Sequence, residues 1–421
     1  MFTHRCSIRR ATIWLIACLQ LFVITSYFFL QDANPPAIKP SVQFLTQQSN
    51  LTTQKGPTFF TLYQNEIQLN STLTRSYYID FNSSLCYHNG TDVKRMQRSY
   101  ISWKCECMPN YHGSDCSQPE VIWRALLAYR KRLPLKERSE DRKIIYLFEV
   151  SDITMTISDI RVSELNNAVD LFILYEIASN SMEKQLRYGF LKQYHRKILY
   201  LRLDSRNDVK NLWKTCLKQL KSLQNDDIII HTGSNEVPNI VALKYLKLYD
   251  FKFPEPILLR YRWSVFGFFW LHPNKTKLSS AIVTVKYLEN ILDGDVTELK
   301  NTTAGFIIGD LNHFGGWFCE FCNDPGKIID ELTLYNDKYK QYKSLLLNGA
   351  LKLNNLSKNQ VIDVNTIEDL IENGIYIDGK TDLVKAHRFR DNYFAPAFLQ
   401  ENTWKYDYLM MNIYSKMDYY E

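Results

Sequence analysis

Ile144-Ile145-Tyr146-Leu147-Phe148, Val169-Asp170-Leu171-Phe172-Ile173-Leu174-Tyr175, Lys197-Ile198-Leu199-Tyr200-Leu201-Arg202-Leu203 and Ile228-Ile229-Ile230 are four short, largely apolar runs. A strand with one wet face alternates apolar and polar residues. Runs this continuous mark strands covered on both sides. Between them the spacing predicts helices over Ser158–Asn166 and Ser181–Tyr194, and a long amphipathic helix over Asn207–Gln224. Strands alternating with helices predict βαβ units: an α/β fold with a mostly parallel sheet and right-handed crossovers that put helices on both faces. Ligands of such sheets bind beyond the carboxyl ends of the strands. Glu176, after the second run, and the loop from Thr232 to Pro238, after the fourth, are therefore candidate site positions. Asp226 and Asp227 precede the fourth strand, at the wrong end, and read as turn residues.

The chain around this segment has 421 residues, 45% of them hydrophobic and 14% aromatic, enough for a sizeable core. That composition excludes disorder of the whole chain, and 15 Gly with 13 Pro excludes a collagenous or low-complexity architecture. The net charge of +6 is dispersed rather than gathered into a basic stripe, and gives no warrant for a nucleic-acid partner.

Thr12 to Leu30 carries no charged side chain. At 1.5 Å per residue a helix over it spans roughly 28 Å, close to the hydrocarbon thickness of a secretory membrane. His4, Arg5, Arg9 and Arg10 precede it, and Asp32 and two prolines follow. The positive-inside rule places residues 1–11 in the cytosol and the remainder in the lumen. A cleaved signal peptide has the same polarity, but its apolar region is shorter and ends in small residues, whereas this one ends in Tyr27, Phe28, Phe29 and Leu30. The expectation is a single-pass type II signal anchor contacting the bilayer through one helix. Seven Asn-x-Ser/Thr acceptor motifs, at Asn50, Asn70, Asn82, Asn89, Asn274, Asn301 and Asn355, all follow it, as expected for a lumenal glycoprotein. The cysteines beyond the anchor would meet an oxidising compartment.

Residues 31–85, rich in Gln, Asn, Ser, Thr and Pro, read as a stem, although Phe59-Phe60 and Tyr77-Tyr78 could dock onto the body. Residues 86–118 hold Cys86, Cys105, Cys107 and Cys116. The Cys105-x-Cys107 pair, Gly113 and Cys116 resemble the C-terminal half of an epidermal-growth-factor-like module, truncated because only four of the usual six cysteines are present. That resemblance implies pairings Cys86–Cys105 and Cys107–Cys116. Cys319-x-x-Cys322 lacks a second ligand pair for zinc. It reads as a local disulfide, leaving Cys216 a buried free thiol.

The segment 142–421 carries further blocks: Ser158-Asp159-Ile160-Arg161-Val162-Ser163-Glu164-Leu165, Asp226-Asp227-Ile228-Ile229-Ile230, Glu236-Val237-Pro238, Phe266-Gly267-Phe268-Phe269-Trp270, His313-Phe314-Gly315-Gly316-Trp317-Phe318-Cys319-Glu320-Phe321-Cys322 and Phe394-Ala395-Pro396-Ala397-Phe398-Leu399. In type and order they resemble the β-1,4-mannosyl-glycoprotein 4-β-N-acetylglucosaminyltransferase family, which adds bisecting GlcNAc to N-glycans. The resemblance implies a GT-A-like, Rossmann-like nucleotide-sugar fold in a Golgi membrane protein. It also implies UDP-GlcNAc as donor, an N-glycan acceptor with a β-linked mannose, and inversion at the anomeric carbon.

An inverting transfer needs a base for the acceptor hydroxyl, and cations for the leaving diphosphate. The family has an Asp-Asp-Ala-Asp-Glu run after the fourth strand. This chain has Thr232-Gly233-Ser234-Asn235-Glu236, with one carboxylate left. Amide and hydroxyl oxygens are poorer ligands for a hard dication, so Mn²⁺ or Mg²⁺ held at Glu236 is a doubtful expectation, and weak metal dependence follows. The residues matching the family's pattern suggest Glu236 and His313 as catalytic. Arg262, Glu176, Asn235, Trp270 and Trp317 are the donor- or substrate-binding candidates, Arg262 fitting a diphosphate through its planar fork. Each has a plainer reading: Glu236 and Glu176 as caps, His313 as a core histidine, and the Phe266–Trp270 block as core, with Trp270 able to stack on a sugar. The competing function is a catalytically silent carbohydrate-binding relative of the same fold. A surface adhesion protein using the cysteine hairpin is the remaining alternative.

Overall fold

The computed structural model describes residues 20, 25, 58–61, 67–81, 84–98, 104–129, 136–250, 253–334 and 363–415. The expected anchor therefore lies outside the described residues, apart from Gln20 and Thr25, both helical. Among the described residues, no helix is long and apolar enough to cross a membrane. Residues 56–421 form one compact unit.

Its centre is an eleven-stranded sheet. In chain order the strands are β1 (Thr58–Thr61), β2 (Ile144–Glu149), β3 (Leu171–Ile177), β4 (Ile198–Leu203), β5 (Ile228–Thr232) and β6 (Glu236–Pro238). Then follow β7 (Ile257–Val265), β8 (Gly267–Thr284), β9 (Phe306–Ile308), β10 (Gly316–Glu320) and β11 (Val384–Lys385). Across the sheet the order is β1-β4-β3-β2-β5-β8-β7-β10-β6, with β9 beside β7 and β11 beside β8. The four strands expected from the apolar runs are present and mutually parallel, in the spatial order third, second, first, fourth. Strand order reverses between β2 and β5, and sheets of this kind bind ligands beyond the carboxyl ends of the strands at such a switch point.

Besides two short helices at Val93–Arg98 and Asp407–Met410, the described helices are α1 (Glu120–Ala128), α2 (Met155–Leu165), α3 (Ser181–Arg187), α4 (Leu212–Leu217), α5 (Ile240–Leu248), α6 (Val285–Ile291), α7 (Pro325–Leu334), α8 (Val364–Asn373) and α9 (Ala397–Glu401). Successive strand residues face opposite ways. Ile144, Tyr146 and Phe148 pack with Val162 and Leu165 of α2, Met182 of α3 and Leu243 and Leu246 of α5. Ile145 and Leu147 pack with Leu212, Trp213 and Cys216 of α4 and with Leu288 of α6. Helices thus cover both faces, as the continuous runs require.

Three expectations change. The sheet is mixed rather than mostly parallel: β8 pairs antiparallel with both β5 and β7 and extends the sheet past the carboxyl ends of the first parallel strands, while β7 pairs parallel with β9 and β10. The helix expected over Asn207–Gln224 is broken into a 3₁₀ turn (Arg206–Asn211) and α4, because Leu220–Lys221 instead pairs as a strand with Ile67–Gln68. The helix expected over Ser181–Tyr194 stops at Arg187, where Gly189 and Leu191 turn left-handed.

Part of the expected stem is folded onto the body. Phe59 and Phe60 pair with Leu201 and Tyr200 at the sheet edge, and the Tyr78 hydroxyl lies 2.9 Å from that of Tyr249. The disulfides are Cys86–Cys105, Cys107–Cys116 and Cys319–Cys322, and Cys216 is a buried free thiol whose pKa burial pushes up. Of the acceptor motifs, Asn70, Asn89, Asn274 and Asn301 are exposed, while Asn50, Asn82 and Asn355 fall outside the described residues.

In β5, His231 is buried and its Nε2 lies 3.0 Å from the Tyr175 hydroxyl. Burial lowers its pKa to about 4, helped by Lys300 and opposed by Glu236. The folded state therefore binds the proton less readily than the unfolded state, whose histidine has a pKa near 6.5. The neutral ring's contribution is complete above pH ~6.5 and is lost as pH falls toward about 4, a change of about 3 kcal/mol. Denaturant titrations between pH 7 and 4 should show this fall, and His231→Gln should flatten it.

Candidate active site

The loop between β5 and β6 folds around Glu236, whose side chain is completely buried. Its carboxylate accepts the Gly233 N–H at 2.9 Å and the Ser280 hydroxyl, and pairs with Lys277 Nζ at 2.9 Å. Burial by itself would raise the Glu236 pKa. The Lys277 charge and the hydrogen bonds from Ser280 and Gly233 outweigh it and hold the group below its ordinary value. The network extends outward: the Tyr261 hydroxyl donates to Ser280, and the Tyr146 hydroxyl sits 2.8 Å from Thr232 Oγ1. From below, the fully buried Arg161 of α2 donates to the Gly233 carbonyl at 3.0 Å and to the Ser234 carbonyl, and its guanidinium rests 4.4 Å from the centre of the Phe148 ring. Asn235 is half-buried, and its carbonyl accepts the Cys319 N–H at 3.0 Å.

The register shows which side chains share this face. Tyr261 stands opposite Lys277, Glu236 opposite Phe318, and Trp263 beside Phe318. Alternation then places Trp263 and Glu320 on the same face as Glu236 and Lys277. Lys277 Nζ lies 3.9 Å from the Phe318 ring centre and its side chain is 31% exposed, against 1% for Glu236. Glu320 Oε2 accepts the Trp263 indole N–H at 2.9 Å and the Tyr376 hydroxyl at 3.0 Å. Lys275 Nζ is 5.3 Å from the Trp263 ring and 5.5 Å from that of Tyr376. An aromatic platform, a carboxylate and two lysines are thus gathered on one face beside the switch-point loop.

Arg262 and Trp317 point the other way. Arg262 ion-pairs with Asp391 and donates to the Tyr393 carbonyl, which also accepts the Trp317 indole N–H at 2.8 Å. Here the structure brings Arg262 and His313 together. Both line a cavity of about 370 Å³ with Lys385, His387 and Arg390, and Asn110 of the cysteine segment closes one side. His313 Nδ1 lies 3.1 Å from Asp310, and its Nε2 is 3.7 Å from Glu120 at the start of α1. Of the expected residues, then, Glu236 stands on one face of the sheet with Asn235 before it in the β5–β6 loop, and Arg262, His313 and Trp317 lie on the other side.

Glu176 and Trp270 lie apart from both groups. The Glu176 carboxylate accepts the Met182 N–H at 3.1 Å and the Tyr200 hydroxyl at 2.6 Å, which tethers the start of α3. Trp270 donates its indole N–H to the Ile371 carbonyl at 2.8 Å and lies flat against Gly374, where a Cβ would come within 2.7 Å of the ring. Sequence reasoning missed Lys277 and Glu320 as site residues. Glu320 stood inside a quoted block, but Lys277 has no motif and is placed only by strand register.

The residues at the loop do not suit a divalent cation. Its single carboxylate is sealed and already paired, and the Thr232 side chain is committed to Tyr146. Among the described residues, no group of three or more His, Cys, Asp or Glu side chains could hold a metal ion.

No family model matches the chain. It is, however, similar to the human β-1,4-mannosyl-glycoprotein 4-β-N-acetylglucosaminyltransferase, with 26% identity over 382 residues, covering 78% of this chain and 68% of that protein. The rat and mouse enzymes of the same name are 26% and 25% identical over 351 residues, covering 74% of this chain and 62% of each. These similarities support membership in the bisecting GlcNAc transferase family. The chain spans about two thirds of the length of these relatives.

Arg161 is the strut of the altered loop. Arg161→Met would leave two loop carbonyls without their donor and Glu236 with one cation fewer, costing about 3 kcal/mol. Thermal unfolding of the variant should show that loss, and unchanged stability would remove Arg161 from this role.

Proposed function

We propose that the protein is an inverting GlcNAc transferase. It takes the sugar from UDP-GlcNAc and passes it to the β-linked mannose of an N-glycan core, as a single-pass type II Golgi protein with its body in the lumen. One observation carries the reading: Glu320, Trp263 and Lys277 share a face beside the loop at the strand-order switch point. Phe318, beneath Lys277, and Glu320 are two residues apart on β10, roughly 7 Å along the strand, about one sugar ring.

In this arrangement the nucleotide lies at the loop and the GlcNAc ring lies against Trp263, aromatic faces being suited to the apolar side of a pyranose. The acceptor hydroxyl attacks the anomeric carbon from the side opposite the diphosphate. A bond forms between acceptor oxygen and C1, the hydroxyl proton passes to Glu320, and the bond from C1 to the phosphate oxygen breaks with its electron pair leaving on UDP. The indole and phenol donors on Glu320 fix the carboxylate's direction before substrate arrives. Arg262 and His313, on the opposite face, take no part in this step. The silent-relative reading draws on one feature, the sealed Glu236, and predicts nucleotide-sugar binding without transfer.

Detergent-solubilised full-length protein, given UDP-GlcNAc with labelled sugar and a bi-antennary N-glycan, should form a β-linked product. Glu320→Gln should lower the rate by about 10²- to 10⁴-fold, the usual worth of a positioned base, while UDP-GlcNAc binding is kept. A fully active variant removes Glu320 from the mechanism. Binding by the wild type with no transfer to any glycan acceptor decides for the silent relative.

A further inference from the structure

The altered loop has lost acids, and it has a cation in place. Resting on the transferase reading above, we propose that the Lys277 ammonium supplies the positive charge that meets the diphosphate in place of a divalent metal, making this a metal-independent nucleotide-diphosphate site. Three observations converge on it. The only carboxylate of the loop, Glu236, is fully buried and its charge is met by Lys277 at 2.9 Å. Its remaining contacts are Gly233 N–H and Ser280, so no incoming ion can use it without dismantling the loop. Gly233 leaves little room for a second acid: a Cβ there would lie 3.0 Å from Glu236 Oε1. Lys277, by contrast, keeps 31% of its side chain exposed, so it reaches the buried acid from the solvent side of the loop.

The charges agree. Arg161 and Lys277 against Glu236 leave the loop with a net charge of +1, available to an anion arriving at the crevice. A metal site would carry several carboxylates that need a dication to balance them; this one carries a surplus cation held by one carboxylate. Glu236 is then a positioning residue that aims the ammonium, and the ring of Phe318, 3.9 Å away, holds it from the other side. As the bond from the sugar to UDP breaks, the charge growing on the diphosphate oxygens is met by this tethered ammonium, which forms and breaks no covalent bond.

Calorimetric titration of the full-length protein with UDP, in EDTA and then with Mn²⁺, tests the proposal. The wild type should bind in EDTA, with Kd changing less than about twofold on adding Mn²⁺. Lys277→Met should weaken UDP by about 30- to 150-fold, the range expected for a charge-assisted contact worth about 2–3 kcal/mol, and Lys277→Arg should recover most of it. Because Lys277→Met strands a buried carboxylate, Lys277→Met combined with Glu236→Gln serves as the folding control and should be equally weak. UDP binding that vanishes in EDTA and returns with Mn²⁺ overturns the proposal and leaves the transferase reading standing. So does a folded double variant that binds as tightly as wild type. A wild type that binds no uridine nucleotide with or without Mn²⁺ overturns both.

Discussion

A carboxylate without contact to water is the constraint around which this molecule is arranged. Removing an ion from water costs several kcal/mol, offset only by a close partner and by hydrogen bonds to its remaining lone pairs. Glu236 has both, from two elements: Gly233 in its own loop and Ser280 on β8 donate to Oε2, and Lys277 on β8 meets Oε1. Satisfying one charge therefore pins the β5–β6 loop to the long antiparallel strand. Arg161 completes the clamp from α2 beneath. The interactions that keep this loop folded are the same ones that shape the crevice above it.

The second constraint is alternation along β7, β8 and β10. Neighbouring residues on these strands serve opposite faces, so Tyr261 and Trp263 look into the crevice while Arg262 supports the cavity behind it. The cysteine segment contributes to that rear wall rather than standing apart. Asn110 lines the cavity, and Asp115 and Ser117 accept the Tyr249 hydroxyl. Its two disulfides hold a loop-rich segment that has too little apolar surface to fix itself. Relatives with the same framework are named for transfer of GlcNAc to β-linked mannose; what distinguishes this chain is the charge balance of one loop.

Much of the parallel half was legible because its signal is local. Ile144–Phe148 and Ile228–Ile230 are apolar on every residue, and only strands covered on both faces tolerate that. The Asn207–Gln224 period looked helical and is helical in part, but Leu220 and Lys221 were claimed by Ile67 and Gln68, a pairing no local window contains. The β7–β8 hairpin escaped notice for a similar reason. Arg260, Arg262, Lys275 and Lys277 dilute its apolar signal, and each is accommodated by a partner distant in sequence or by the open crevice. In the candidate site, the Glu236 carboxylate was readable as the last of a depleted acidic run, whereas its cation was not.

The chain by itself determined the strands at 144, 171, 198 and 228, the candidate loop after the last of them, the local Cys319–Cys322 disulfide and the family resemblance, while the other two disulfide pairings were implied by the likeness to an epidermal-growth-factor-like module. These follow from residues close together in sequence, where periodicity, spacing and motif act. Tertiary structure alone decided that Glu236 is sealed, that Arg262 and His313 meet behind the sheet, and that Lys277 and Glu320 stand together in front of it. Those outcomes depend on strand register, and register is set by the whole sheet: slipping β8 by one residue would turn Lys277 to the other face and leave Glu236 without its charge partner.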